Sequence, residues 1–329
     1  METMKVETIG KEIIKPSSPT PNNLRTLQLS IYDHILPPVY TVAFLFYTKN
    51  DLISREHTSH KLKTSLSETL TKFYPLSGRI NGVTIDCNDE GAIFVDARVN
   101  NCMAIGICIS HKIADATSIS TFIQSWAAMA RGEAGDEVAG PEFAAANFYP
   151  PANEAFKFPV DELAEAVDRP TRVESVTALL WKGFVAAASS TTTTCDLKVL
   201  IQPVNLRSKI PSLLSQSLVG NVMFSSVVLS VGQQGEVKIE EAMSYETHEP
   251  YTVSSWCKLP LYEASFGWGS SVWVTGNIAP AFGNLAMLVD SKDKKGIEAF
   301  VTLPEENMLS FEQNPELLAF ASLNPSVLV

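Results

Sequence analysis

The sequence carries no surplus of positive charge: 25 lysines and arginines stand against 36 aspartates and glutamates, a net charge of −11. With no basic stripe to offset that balance, nucleic acid is excluded as the main partner, and an anionic membrane surface is disfavoured for the same reason. Cysteine is scarce. Cys87, Cys102, Cys108, Cys195 and Cys257 are odd in number and scattered, a pattern of reduced thiols in the cytoplasm and not of a disulfide framework. No apolar run reaches the roughly 18–20 residues that a membrane-spanning helix requires. Met1 to Lys15 alternates charged with single apolar residues and has no apolar centre of the signal-peptide kind. The one glycosylation-like triplet, Asn324-Pro325-Ser326, is disabled by its proline. A Gly-x-Ser-x-Gly nucleophile elbow and the phosphate-cradling glycine loops are both missing, which argues against an α/β-hydrolase and against nucleotide-binding folds. His57-Thr58-Ser59-His60 has a spacing that could suit a metal, but no cysteine or acidic cluster accompanies it. It reads as a solvated helix start, and no metal is expected.

What remains is an ordinary globular balance, 45% hydrophobic and 19% charged over 329 residues, enough for one large or two ordinary domains. The stretch Pro16-Ser17-Ser18-Pro19-Thr20-Pro21 is an extended lead-in. Residues Thr41 to Tyr47 are β-prone. Leu62, Leu66, Leu70 and Phe73 share one face of a helix predicted from Ser59 to Tyr74, stopped by Pro75. Strands are predicted from Gly91 to Val99 and through Ala104–Ile109. A helix capped by Thr117 or Ser118 follows, running to about Arg131 with Ile119, Phe122, Ile123, Trp126 and Met129 facing inward. The Pro-, Ala- and Gly-rich stretch from about Gly132 to Val160 reads as a crossover linker. The second half begins with a helix around Val173 to Ala188 and a hydroxyl-rich loop, Ser189 to Thr194. Strands follow at Lys198–Gln202, Val222–Val231, Val272–Thr275, Asn284–Val289 and Gly296–Leu303, the last two forming a hairpin. Tyr245 to Glu249, with His248, reads as a polar surface loop. The mixed order of elements implies an α/β fold in two lobes.

The most informative segment is Ser110-His111-Lys112-Ile113-Ala114-Asp115. An imidazole at the end of a buried strand is well placed to take a proton from an alcohol or amine, because histidine titrates near neutral pH. Alone, His-x-x-x-Asp is a weak signal. Three further segments flank it in order: Phe73-Tyr74-Pro75-Leu76-Ser77-Gly78-Arg79; Gln202-Pro203-Val204-Asn205-Leu206-Arg207-Ser208 with Gly220-Asn221; and Tyr262-Glu263-Ala264-Ser265-Phe266-Gly267-Trp268-Gly269. Together they resemble the plant BAHD acyltransferases, which move acyl groups from coenzyme A thioesters. The opening Pro-rich segment and Asp86-Cys87-Asn88-Asp89 look most like the vinorine synthase-like, alkaloid-acetylating branch.

The resemblance implies a two-lobed chloramphenicol-acetyltransferase-like fold with mixed sheets and flanking helices. An N-terminal lobe (1–140) carries the His-x-x-x-Asp motif, a crossover linker (141–165) follows, and a C-terminal lobe (166–329) carries the Phe-Gly-Trp-Gly motif. It implies His111 as general base and Asp115 as a supporting residue that pairs with an arginine. Acyl-CoA, most simply acetyl-CoA, is then a co-substrate and not a permanently bound cofactor. The resemblance further implies a small-molecule alcohol or amine as acceptor, with an alkaloid as the first candidate class, and a cytoplasmic monomer with neither nucleic acid nor membrane as partner. Ser265, Phe266, Gly267, Trp268 and Gly269 would be structural. Ser265 stands where the family has an aspartate, and Arg207 is the partner expected for that position. The chain is also short for the family, with apparent internal gaps between Cys102 and Ala104, near Pro159–Val173 and between Val231 and Tyr251. The alternative reading is therefore a catalytically impaired relative acting as a binding module, and a third is a hydrolase using the same histidine and water.

Overall fold

The computed structural model describes residues 6–48, 54–99, 102–133, 140–151, 169–189, 197–207, 215–231, 250–278 and 283–325. The hydroxyl-rich residues 190–194, the polar segment Tyr245–Glu249 and most of the linker, 152–165, lie outside them.

Near the N-terminus the alternation of single apolar and charged residues produces a strand, β1 (Val6–Ile14). It pairs antiparallel with β6 (Ala92–Val99). The sequence reading used that alternation only to exclude a signal peptide, although period-two patterning is itself a strand signal. The central sheet of the first half has the order β11-β3-β7. Its middle strand β3 (Tyr40–Tyr47) alternates exposed and buried positions, with Ala43, Leu45 and Tyr47 turned inward. Strand β7 (Met103–Ser110) sends Ile105, Ile107 and Ile109 into the same core. Two helices cover that face. In α2 (Arg55–Lys72), Leu62, Leu66 and Leu70 are buried, and Phe73 is buried just beyond, as their spacing requires. The helix starts earlier than predicted because Ser54 caps it, accepting from the His57 N–H; His57 and His60 stand exposed on its first turns. Helix α3 (Ala116–Arg131) buries Ile119, Phe122, Ile123 and Trp126 but only half-buries Met129. Its cap is Asp115, not Thr117 or Ser118. It ends at Gly132, whose φ of 77° places the residue in the left-handed region that favours glycine after a helix.

The second half builds a five-stranded mixed sheet, β13-β12-β10-β8-β9. Its strands are β8 (Leu197–Asn205), β9 (Met223–Val231), β10 (Tyr251–Ser255), β12 (Leu285–Asp290) and β13 (Ile297–Thr302). Helices α5 (Arg172–Ser189) and α6 (Glu305–Glu312) pack on it, with the Phe184 ring stacked 5.2 Å from both Tyr251 and Phe311. The β12–β13 hairpin forms where it was predicted.

The two cores are stitched by the later part of the chain. β11 (Trp273–Ile278) pairs with β3, and Trp256, Leu261, Phe266 and Val274 are buried in the first core. The stretch drawn by sequence as lobe 166–329 thus gives these residues to the first lobe. β12 is buried on both faces. Met287 and Val289 belong to the first core, Ala286 and Leu288 to the second. An uninterrupted apolar run is what a strand sandwiched between two packed layers requires.

Candidate active site

His111 follows the last residue of β7, and its N–H donates to the Val39 carbonyl at 2.8 Å, extending the β3–β7 ladder by one bond. Its side chain is half-buried. The ring Nδ1 lies 3.1 Å from Asn221 Oδ1. The orientation of that amide follows from its other contacts. Asn221 Nδ2 donates to the His111 carbonyl at 2.6 Å and to Asp33 Oδ1 at 2.7 Å. Both amide hydrogens are thereby used, so the oxygen faces the ring, and Nδ1 must carry a hydrogen to donate to it. Nε2 is left with its lone pair, the form a general base needs.

Asp115 does not face His111. Its Oδ1 accepts from the Ser118 N–H at 2.9 Å and the Ser118 hydroxyl at 2.8 Å, and its Oδ2 accepts from the Val222 N–H at 3.1 Å and Arg207 Nη1 at 2.6 Å. Arg207 is fully buried and its guanidinium is fully engaged: Nε donates to the Leu218 carbonyl, Nη2 to Ser118 Oγ and the Gly220 carbonyl, and Nη1 also reaches Asn205 Oδ1. A buried ion pair persists only when its remaining donors and acceptors are satisfied, as they are here. The pair ties the start of α3 to the loop that delivers Asn221, and so holds Asn221 against the imidazole.

The expected Arg207–Ser265 pairing is not what the structure contains, because Asp115 occupies Arg207. The arginine beside Ser265 is Arg131, which donates to the Ser265 carbonyl and pairs with Glu133. Phe266 is wholly buried, edge-on to Trp126 at 5.1 Å and stacked on Trp268 at 5.7 Å. Lys61 sits over the Trp268 ring at 5.7 Å. Gly267 has a φ of 101°, a conformation that L side chains rarely adopt, which accounts for the glycine. The Tyr47 hydroxyl donates to the Ala264 carbonyl at 2.9 Å, locking this turn to β3. The motif packs the first core and lies apart from the imidazole network.

Two participants were not singled out from sequence. Asn221 stands in the third motif with no role that its sequence position assigns. Asp33 has only the spacing of a capping box, Ser30-Ile31-Tyr32-Asp33, to mark it. That box forms at the start of the short helix α1 (Ile31–Ile35). A small cavity lined by Asp33, Ile113, Val219 and Gly220 adjoins the network, and a wider surface concavity lies between α2 and β6, lined by Arg55, His60, Lys63 and Asp96.

Solved structures share this architecture. Vinorine synthase matches with a TM-score of 0.77 and 26% identity over 93% of this chain and 96% of that structure. F. sporotrichioides TRI101 complexed with coenzyme A and T-2 matches in fold alone, with a TM-score of 0.63 at 12% identity. The fold is therefore that of the CoA-dependent acyltransferases. The family model described as "Transferase family" matches residues 4–104, 102–167, 160–247 and 231–318, and the chain belongs to that family, the BAHD acyltransferases. Similar proteins include BAHD acyltransferase BIA1 of Arabidopsis thaliana, 31% identical over 98% of this chain and 99% of its own length, and stemmadenine O-acetyltransferase of Catharanthus roseus, 30% identical over 92% of this chain and 95% of its own. The alignment with the Arabidopsis protein runs over 439 positions, against 329 residues here, so the chain is internally shortened. The family model's matched stretches meet at 102–104, 160–167 and 231–247, where the sequence reading placed the gaps.

Proposed function

We propose that this acyltransferase moves an acetyl group from acetyl-CoA to a hydroxyl of a small specialised metabolite, with His111 Nε2 as the general base. The acceptor proton passes to Nε2 as the oxygen attacks the thioester carbonyl. The tetrahedral adduct then expels the CoA thiolate, which regains a proton from the imidazolium. The observation that carries this reading is the commitment of Nδ1 to Asn221, which leaves the opposite nitrogen of a half-buried ring free. Similar proteins support an alcohol or amine acceptor: they include stemmadenine and limonoid O-acetyltransferases and an N-malonyltransferase. An alkaloid alcohol is the first acceptor to try. The four described cysteines are all free thiols, in keeping with a reducing, cytoplasmic setting.

The test is an acetyl-CoA assay with a panel of alkaloid and terpenoid alcohols, run beside His111→Ala. A positioned base contributes roughly 10²–10⁴-fold, so the variant should lose that much rate with its melting temperature unchanged. Equal rates for the two proteins refute the base, and consumption of acetyl-CoA with no acceptor present identifies a hydrolase. If the folded wild type transfers to none of the panel, the binding-module reading takes its place.

A further inference from the structure

Asp33 lies 188 positions before Asn221 in sequence and is buried, 3% exposed, beneath the imidazole network. Four donors converge on its two oxygens. Oδ2 accepts from the Ser30 N–H at 2.8 Å and the Ser30 hydroxyl at 2.7 Å. Oδ1 accepts from the Asn221 N–H at 2.9 Å and from Asn221 Nδ2 at 2.7 Å. Lys112, next to His111 in the chain, reaches the carbonyls of Asp33 and His34 at 3.5 and 3.1 Å and not the carboxylate. Burial pushes the carboxyl above the usual carboxylate range, and the hydrogen bonds from Ser30 and Asn221 oppose that rise.

We infer that Asp33 is a positioning residue that sets the ring tautomer of His111 through Asn221. Of the natural side chains of this size, only a carboxylate accepts on both sides at once. An amide at position 33 must turn its NH2 either toward the Ser30 N–H or toward the two Asn221 donors. In the second case position 33 calls for the Asn221 oxygen while the His111 carbonyl still holds the Asn221 NH2, so the amide is no longer fixed in one orientation and, where it rotates, presents its NH2 to the His111 ring. The ring nitrogen it then faces must be an acceptor, so the hydrogen moves to Nε2 and the base is lost. Asp33 thus acts on the imidazole without touching it. The kinetic part of this inference rests on the acyl-transfer reading, whereas the tautomer part stands without it.

The experiment is ¹⁵N NMR of the imidazole nitrogens in the full chain, with the His111 signal identified among the five histidines by its loss in His111→Ala. The wild type should show hydrogen on Nδ1. Asp33→Asn should show a mixture with a substantial Nε2–H population, and a kcat lower by about a hundredfold, the scale of a misplaced catalytic group, with little change in KM for acetyl-CoA. Asn221→Ala, which leaves Asp33 in place, should shift the tautomer in the same direction and keeps the test decisive if Asp33→Asn fails to fold. Ser30→Ala removes one donor from the far oxygen and the acceptor of the Asp33 N–H, leaves both Asn221 donors to Asp33 in place, and should leave tautomer and rate as in the wild type. An unchanged tautomer in both Asp33→Asn and Asn221→Ala overturns the inference, as does a Ser30→Ala protein that shifts as far as Asp33→Asn, since the role would then be that of a helix cap. A tautomer that moves in a protein with no transfer activity leaves the inference standing and refutes the proposed reaction.

Discussion

The two ends of strand β7 differ sharply. At its C-terminal end His111 is held by Asn221, which Asp33 accepts from, while Asp115 and Arg207 fix the backbone on either side of Asn221. At its N-terminal end β7 begins only three residues after β6, yet the two strands do not pair; each forms the edge of its own sheet among the described residues. The bond from His111 N–H to Val39 identifies a hydrogen-bonded pair. By the alternation of an antiparallel ladder, Ala104, Gly106, Cys108 and Ser110 therefore turn their backbone groups away from β3. The junction at 102–104 in the family match falls at this same end. Groups brought together from distant parts of the chain survive a local loss of sequence, because none of them lies at the junction. Sheet continuity depends on neighbouring chain and ends where that chain is missing.

The contrast can be broken at its strong end first. Arg207→Ala leaves Asp115 as a buried charge without its cation, a loss of about 3–5 kcal/mol. The calorimetric melting temperature should fall by roughly 4–7 °C, and a melt matching the wild type would mean that the network holds little of the fold. Ser265→Asp places a carboxylate beside Arg131 and Lys61, both partly solvated, and should add about 0.2–1 kcal/mol, read as a melting temperature higher by up to roughly 1.5 °C. A fall would count against that electrostatic account. The smallest change in stability belongs to the weak end. Cys108 is exposed on an edge strand that carries neither charge nor proline from Met103 to Ser110, the kind of edge that invites pairing between molecules. Cys108→Lys should alter stability by no more than about 0.5 kcal/mol while slowing aggregation on warming, followed by light scattering under reducing conditions. Unchanged aggregation would show that the open edge of β7 is not the route.

Much of the fold was legible because it rests on local patterning. The apolar spacing of α2 and α3, the alternation of β3 and the β12–β13 hairpin were all readable, since burial of one face imposes a period on sequence. Helix starts were less so: Ser54 and Asp115 cap where Ser59 and Thr117 or Ser118 were expected, because a cap is defined by which hydroxyl or carboxylate reaches a free N–H and not by residue type alone. In the site, Asp115 was read as bound to an arginine, and it is. Arg207 was read as the right residue with the wrong partner, since no spacing rule says which of two acidic positions a distant cation will meet. Asp33 gave no signal beyond a capping box.

Sequence by itself determined the family, the strand that ends at His111, the apolar faces that bury and the internal shortening, all of which are properties of order and spacing along one chain. The tertiary structure alone decided that β12 serves two cores, that Phe266 fills the first of them and that a carboxylate 188 residues from Asn221 faces it. Hydrogen bonds and ion pairs are short-ranged and directional, so their partners are chosen by where the folded backbone brings them, after the pattern of burial has set that backbone.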